Sequence, residues 1–338
     1  MAYIAIARPP GRHGGNLTTA LRWQRILTDL GHQVSLAEGW EPSAAPGPNL
    51  LIALHARRSG AAIETFAATH PQGALIVAAT GTDLYEDLPT GGTDGRSALA
   101  AFEAADRILV LQDLAPAALP EHLRPKTRVV HQSVQGIPSE PGSPPQRASP
   151  LQVSILAELR SVKDPLLVLD ALELIPEQVE LNVTHAGAGD KPDLIERARA
   201  ASEQSPRYQW VGALSHEKAL ELLARSHLTL NTSRSEGSSG AVGEALSLDV
   251  PILASNIAGN RGVLGETHPG LFGVGDANAL AAHLRKACDE EGYREELRLA
   301  GRTRLPLVQF DREVAAWTEL LREVLPTTPP ETAPDQLP

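Results

Sequence analysis

A single cysteine, Cys288, leaves the chain no second thiol with which to close an intramolecular disulfide, and it disfavours a thiolate metal site. Positive charge is also short: 30 Lys and Arg stand against 41 Asp and Glu, a formal net charge of −11. That balance argues against a general nucleic-acid binder and against docking on an anionic membrane, so any phosphate-binding patch must be local. No apolar run approaches the length of a transmembrane helix, and the one in MAYIAIARPP is too short for a signal peptide. The expected location is the cytoplasm. Metal-ligand clusters are lacking as well: the histidines are scattered and no DxD-like pair follows a strand pattern, so neither a metal nor a resident cofactor is expected. Cys288 itself falls in the apolar-spaced segment ALAAHLRKAC, which suits a buried structural thiol.

What is present is alternation. The 338 residues, 42% of them hydrophobic, have room for two domains that each bury a core. In the first half, the apolar runs YIAIA, QVSLA, NLLIALH, ALIVAAT, RILVLQ and TRVVHQ alternate with helical patterns such as NLTTALRWQRILTDLG, which Gly31 closes. Near-continuous apolar strands between helices predict a parallel sheet covered on both faces. Residues 138–150, PSEPGSPPQRASP, carry no hydrophobic pattern and read as a linker. The alternation then restarts with LQVSILAEL, VELNVTHAG, RYQWVG, HLTLN, PILAS and GLFGV. The expected fold class is α/β, with two Rossmann-like doubly wound domains, 1–137 and 151–305, facing a cleft. A helix in 306–326 is expected to return to the N-terminal domain, and 327–338, TTPPETAPDQLP, to be disordered.

The most informative stretch runs from His227 to Gly265. HLTLN reads as a buried strand, SRSEGSSG as a Gly/Ser-rich loop, GAVGEALSL as a helix and PILAS as a second buried strand. Glu236 in the loop and Glu244 in the helix have seven residues between them. Gly237, Ser238, Ser239 and Gly240 lie in that interval, where no bulky side chain blocks the first free N–H groups of the helix, a natural seat for a phosphate. A carboxylate touching that anion would be repelled. The two glutamates therefore suit neutral hydroxyls on either side of a diphosphate, a sugar at one end and a ribose at the other. A sugar nucleotide presents its groups in that order. The plainer reading is a common turn whose glutamates complement a helix dipole.

Further polar clusters follow predicted strands, where doubly wound sheets hold their ligands. RPPGRHGGN offers Gly14 and Gly15 for close backbone approach, with Arg8, Arg12 and His13 as local positive charge, or else it is a solvated loop. His55 and Arg57 lie at the end of NLLIALHARRS, Thr82 and Asp83 in ALIVAATGTDLY, and Gln132 in TRVVHQ. A structural histidine, a solvated arginine and an Asx or helix-cap role for Asp83 are the alternatives there. AELRSVKDP supplies Arg160 and Lys163, two cations able to hold a diphosphate and neutralise charge on a leaving group, or else a solvated pair before a helix. The Val211–Leu214 turn, with Gly212, can hold a nucleobase by main-chain bonds, and His185, Gly187 and Gly189 of THAGAGD offer backbone approach.

SRSEGSSGAVGEAL followed by DVPILAS resembles the Glu-x7-Glu motif of retaining glycosyltransferases with the two-Rossmann-domain GT-B fold, notably family 4. The resemblance implies that Glu236 holds donor-sugar hydroxyls and Glu244 the ribose of a UDP-type donor. It implies that Arg160 and Lys163 are the diphosphate-binding pair, at a shorter spacing than in many members, and that Gly14–Gly15 is the first glycine-rich turn. The donor set is thus Gly14, Gly15, Arg160, Lys163, Gly212, Glu236, Gly237, Ser238, Ser239, Gly240 and Glu244, with Arg160, Lys163 and Glu236 carrying the chemistry.

ALHARRS, TGTDLY, VLQ, KTRVVHQS, AELRSVKDP and IAGNRGVLGETHPGLF together resemble a narrower group, the selenosugar synthases of selenoneine biosynthesis. These are similar to family 4 but take selenophosphate as acceptor and a UDP-sugar, such as UDP-N-acetylglucosamine or UDP-glucose, as donor. The resemblance implies a transferase that forms a carbon–selenium bond, releases UDP and phosphate and leaves a 1-selenosugar. Arg8, Arg12, His13, His55, Arg57, Thr82, Asp83 and Gln132 are then the candidates for holding the anionic acceptor, and other pathway enzymes are candidate partners. Two departures fall on the acceptor side: Thr80 stands where many family 4 members carry a His, and Gln132-Ser133 where they often have Asn-Gly. An ordinary transferase acting on a small hydroxyl acceptor and a non-catalytic sugar-nucleotide sensor are the alternatives.

Overall fold

The computed structural model describes residues 1–11, 14–42, 47–137 and 150–325. The chain divides into two compact units, one of Met1–Val110, Leu119–Val130 and Glu313 onward, the other of Leu111–Ala118 and His131–Arg312. The predicted linker, apart from Pro150, and the predicted tail lie outside the described residues, as do Arg12 and His13.

The first unit is built on six parallel strands, β1 (Tyr3–Arg8), β2 (Gln33–Glu38), β3 (Leu50–Leu54), β4 (Ala74–Ala78), β5 (Arg107–Val110) and β6 (Thr127–Val129). Their spatial order is β2-β1-β3-β4-β5-β6. Every residue of LLIAL in β3 is buried, as a strand covered on both faces requires, whereas the edge strand β2 keeps Gln33, Ala37 and Glu38 exposed. TRVVHQ pairs only as far as Val129. From His131 on the chain belongs to the second unit: His131 Nε2 lies 3.2 Å from Asp113, Val134 N–H donates to Val308 O and His216 donates to Gln135 O. The contact boundary therefore precedes the expected one at 137, and Gln132 is a residue of the second unit.

The C-terminal helix, Phe310–Val324, belongs to the first unit from Glu313 on. Glu313 is fully buried and accepts hydrogen bonds from Arg22 (3.2 Å) and Trp23 Nε1 (3.0 Å), while Trp317 packs edge-on against Trp23 at 5.1 Å. Near the helix end, Glu323 pairs with Arg107 and Arg128, which lead into β5 and β6.

The second unit repeats the architecture with β7 (Leu151–Leu156), β8 (Leu181–Ala186), β9 (Tyr208–Gly212), β10 (Leu228–Asn231), β11 (Ile252–Ser255) and β12 (Leu271–Phe272), all parallel, in the order β12-β11-β10-β7-β8-β9. Its core joins Leu151, Val153 and Ile155 of β7 to Leu228 and Leu230 of β10 and to Leu280, Leu284 and Leu297 of the helices behind them. Cys288 packs half-buried against this core, and burial lifts its thiol to about 11, so it is not a ready nucleophile. No helix among the described residues is long and apolar enough to cross a membrane.

Each sheet reverses its strand order once, between β1 and β3 in the first unit and between β7 and β10 in the second. At such a point the loops leaving the carboxyl ends part to opposite faces of the sheet and open a crevice for a ligand. Glu313→Ala strips the buried Arg22 and Trp23 donors of their acceptor. It is expected to cost about 3–5 kcal/mol in urea unfolding followed by tryptophan emission, with Glu313→Gln recovering part of the loss.

Candidate active site

Two loops meet at the β7/β10 reversal. The one after β7 turns tightly, with Lys163 N–H bonded to Arg160 O at 2.9 Å and Asp164 in the left-handed region at φ 44°. The loop after β10 is fastened to it by Thr232 Oγ1 donating to Lys163 O (3.0 Å), Arg234 N–H to Val162 O (2.8 Å) and the Arg234–Asp164 ion pair (2.7 Å). These bonds bring the Lys163 ammonium to Glu236 Oε1 at 2.5 Å, and Ser233 Oγ donates to the same oxygen at 2.7 Å. Glu236 is only 9% exposed, and a carboxylate so withdrawn from water needs such partners. Both bonds fall on Oε1; Oε2 has no partner among the described residues.

The helix Gly240–Ser247 begins just beyond. No side chain caps it and its first turn holds no acid, because Ser239 at the cap position has its Oγ engaged by Asn231 Nδ2 at 2.8 Å. Gly243 N–H bonds to Ser239 O, so the amides of Gly240, Ala241 and Val242 precede the first helical hydrogen bond. A Cβ placed on Gly240 would meet nothing within 4 Å, which leaves those amides open to approach. Donors with the positive end of the helix dipole behind them make a seat for an anion. Glu244, one turn further, has its Oε1 3.6 Å from His216 Nδ1, and His216 Nε2–H donates to Gln135 O at 3.1 Å.

Arg160 is held loosely, reaching among the described residues only Glu158 at 3.4 Å, so its guanidinium can turn toward a ligand. The strand end beneath it is rigid. His185 Nε2–H donates to Ala157 O (2.8 Å) while Nδ1 accepts from the Tyr208 hydroxyl (2.7 Å). Burial holds His185 neutral, its pKa lowered to about 4. Gly187 lies so near that any Cβ would come within 1.8 Å of Ala157 O, and its N–H donates to the carbonyl of Gly212, which sits at φ 74°.

In the first unit several expected ligand residues are engaged within the fold. Asp83 is fully buried and accepts from the N–H groups of Ala56, Thr80, Gly81 and Leu84, so it organises a turn and has no oxygen left for an acceptor. Arg8 is bound to Glu38, Pro9 O and Gly11 O, and Arg57 to Asp87 and Asp94. Those partners compete with any anion for both arginines. His55 and Thr82 do come together. His55, buried at φ 69°, places Nε2 3.0 Å from Thr82 Oγ1, and burial lowers its pKa so that it is neutral near pH 7. Its Nδ1 faces the Arg58 N–H at 3.5 Å; with Nε2–H donating to Thr82, the threonine hydroxyl proton is left to donate to a ligand. Gly14, at φ 112°, opens the helix Gly15–Asp29, which likewise lacks a side-chain cap and first-turn acids. Among the described residues no three His, Cys, Asp or Glu side chains are grouped to hold a metal ion.

Residues 139–304 match the family described as glycosyl transferases, group 1. That match falls within the second unit. Over 288 residues the chain is 28% identical to glycosyltransferase 1 domain-containing protein 1 of Xenopus tropicalis, which covers 77% of this chain and 80% of that protein. Among solved structures it is similar to sucrose-phosphate synthase from Thermosynechococcus elongatus, with a TM-score of 0.76 at 17% identity over 96% of this chain and 99% of that one. It is also similar to Anabaena HepE in complex with UDP and glucose, with a TM-score of 0.71 at 16% identity over 95% and 100% of the two chains. The fold is that of the GT-B glycosyltransferases, with two parallel-sheet α/β domains.

Within the second unit, Ser233, Asn231, Ser255, Asn260 and His216 join the expected residues through contacts that nothing in the local sequence announces. In unfolded chain His185 takes up a proton near pH 6.5, and in the fold only near pH 4. The stability held by its neutral ring is therefore complete above pH 6.5 and lost as pH falls toward 4. The gap in unfolding free energy between wild type and His185→Gln should narrow by about 2 kcal/mol from pH 7 to pH 4.5; a constant gap would mean that the folded ring titrates normally.

Proposed function

We propose that this chain transfers a sugar from a UDP-sugar to selenophosphate, giving a 1-selenosugar. The observation that carries the donor half is one arrangement: Lys163 and Glu236 stand together at a topological switch point, beside a helix whose first amides no side chain caps. The diphosphate takes the amides and draws Lys163 and Arg160, while Glu236 Oε2 accepts from a sugar hydroxyl and Glu244 from the ribose. UDP as the nucleotide is supported by the likeness to HepE, solved with UDP and glucose. The acceptor half rests on the motifs shared with selenosugar synthases and on the His55–Thr82 pair, which offers a hydroxyl donor to an anion.

Selenium of selenophosphate, already anionic and polarisable, attacks the anomeric carbon; the C–Se bond forms as the bond to the diphosphate oxygen breaks and UDP departs. Water then adds to phosphorus, the P–Se bond breaks, and inorganic phosphate and the selenosugar selenol result. No strong general base is needed, so catalysis is positioning and charge stabilisation on the leaving group.

Lys163→Ala should lower UDP release about 10²–10³-fold, measured below an unfolding midpoint that itself falls because Glu236 loses its ion-pair partner; unaltered turnover would remove the lysine from the mechanism. Incubation with selenophosphate and either UDP-N-acetylglucosamine or UDP-glucose should yield the mass of a 1-selenosugar and an equivalent of UDP. Transfer to a hydroxyl acceptor without selenium would identify an ordinary transferase, and UDP-sugar binding without turnover a sensor.

A further inference from the structure

We infer that Asn260 is a positioning residue for Glu236, acting through Ser255, Asn231 and Ser233. Asn260 lies in the helix Ala258–Leu264 and is fully buried. Its amide NH2 is shared among Asn231 Oδ1 (3.1 Å), Ser255 O (3.0 Å) and Ser255 Oγ (3.2 Å). Ser255 Oγ donates in turn to Ser233 O, and Asn231 Oδ1 accepts the Ser233 N–H at 3.3 Å. Ser233 is thus gripped at both its N–H and its carbonyl, and its hydroxyl is the one that meets Glu236 Oε1 at 2.7 Å. The other arm of Asn231 reaches Ser239 at the start of the helix Gly240–Ser247. One buried amide therefore links the ends of β10 and β11 to the acid and to the anion seat together.

Two observations separate this from ordinary packing. Asn260 Oδ1 finds no donor among the described residues. A buried acceptor left unmatched is destabilising, so an apolar side chain of similar size would serve a purely structural purpose better. Beside it, Gly259 is pressed against the acid: a Cβ there would lie 2.3 Å from Glu236 O and 2.9 Å from Glu236 Cβ. The helix is seated against the residue it helps to aim. The need for such a brace follows from the proposed donor reading, on which this inference rests. When a diphosphate draws Lys163 away, Ser233 is the one holder of Oε1 left among the described residues, and a fixed Ser233 keeps Oε2 pointed at the sugar.

The test compares affinity for UDP with affinity for UDP-glucose and UDP-N-acetylglucosamine by calorimetry, together with kcat for UDP release, on the full chain. Asn260→Ala should lower kcat about 10- to 100-fold and shift the UDP-sugar to UDP affinity ratio about 10-fold against the sugar, while affinity for UDP stays within about twofold. Ser255→Ala should move both in the same direction by less. Ser233→Ala should reproduce the effect and Ser233→Thr, which restores the hydroxyl, should rescue it. Should Asn260→Ala fail to fold, the Ser255 and Ser233 variants decide in the same terms. Unchanged kcat, or a loss of UDP affinity in step with kcat and no threonine rescue, would overturn the inference. A wild-type protein that binds no UDP and consumes no UDP-sugar would instead overturn the donor reading, and this inference with it.

Discussion

A lysine ammonium 2.5 Å from a nearly buried glutamate joins two loops that leave neighbouring parallel strands in opposite directions. Neither charge is comfortable alone at that depth, and each supplies what the other lacks. The pairing has a geometric consequence as well. It brings the cation of the β7 loop and the acid of the β10 loop to one spot, next to amides that carry the positive end of a helix dipole. A ligand that combines an anion with adjoining hydroxyls can replace both partners at once: the lysine exchanges a carboxylate for a phosphate, and the glutamate exchanges an ammonium for an alcohol. The ion pair keeps both groups satisfied without such a ligand.

The first unit solves a similar problem with the roles turned inward. Asp83 accepts four backbone N–H groups and never faces solvent, so its charge serves to hold the turn after β4 against the end of β3. The result is that His55 and Thr82, from two different strand ends, meet with their hydrogen bonding already oriented. A residue can therefore shape its surroundings by fixing its neighbours: in TGTD, Asp83 sets the turn that brings Thr82 to His55.

The sheets were readable in the sequence because a parallel strand covered on both faces has to be apolar at every position, and LLIAL, ALIVA and LQVSIL are close to that limit. The bare start of the helix Gly240–Ser247 was readable because glycine and serine before a helix leave its amides uncovered. Ion pairing was not. Arg8 and Arg57 look like free cations in the letters, yet each lies 30 residues from the acid that occupies it, and whether the two meet depends on strand order. The same holds for His131 and Gln132, which continue an apolar run past the point where the chain leaves the first unit. Asn260 stands 29 residues from its partner Asn231, inside a helix whose letters suggest nothing beyond a turn of small residues.

The chain carries a net charge of −11 and yet is proposed to bind a diphosphate. Side-chain charge at the site does not resolve this, since Lys163 faces Glu236, Arg160 faces Glu158, and Glu244 adds a further negative group nearby. What remains is the main chain. Gly187 and Gly259 allow backbone to approach backbone where any side chain would collide, and Gly240 leaves the helix amides uncovered. Oriented N–H groups offer positive potential without adding charge that must be desolvated or counterbalanced. Fixing those dipoles demands a rigid frame, and the buried Asn231–Ser239 bond at the start of the helix is part of one. On the proposed reading, rigidity of uncharged groups, more than the number of cations, lets an acidic protein hold an anion.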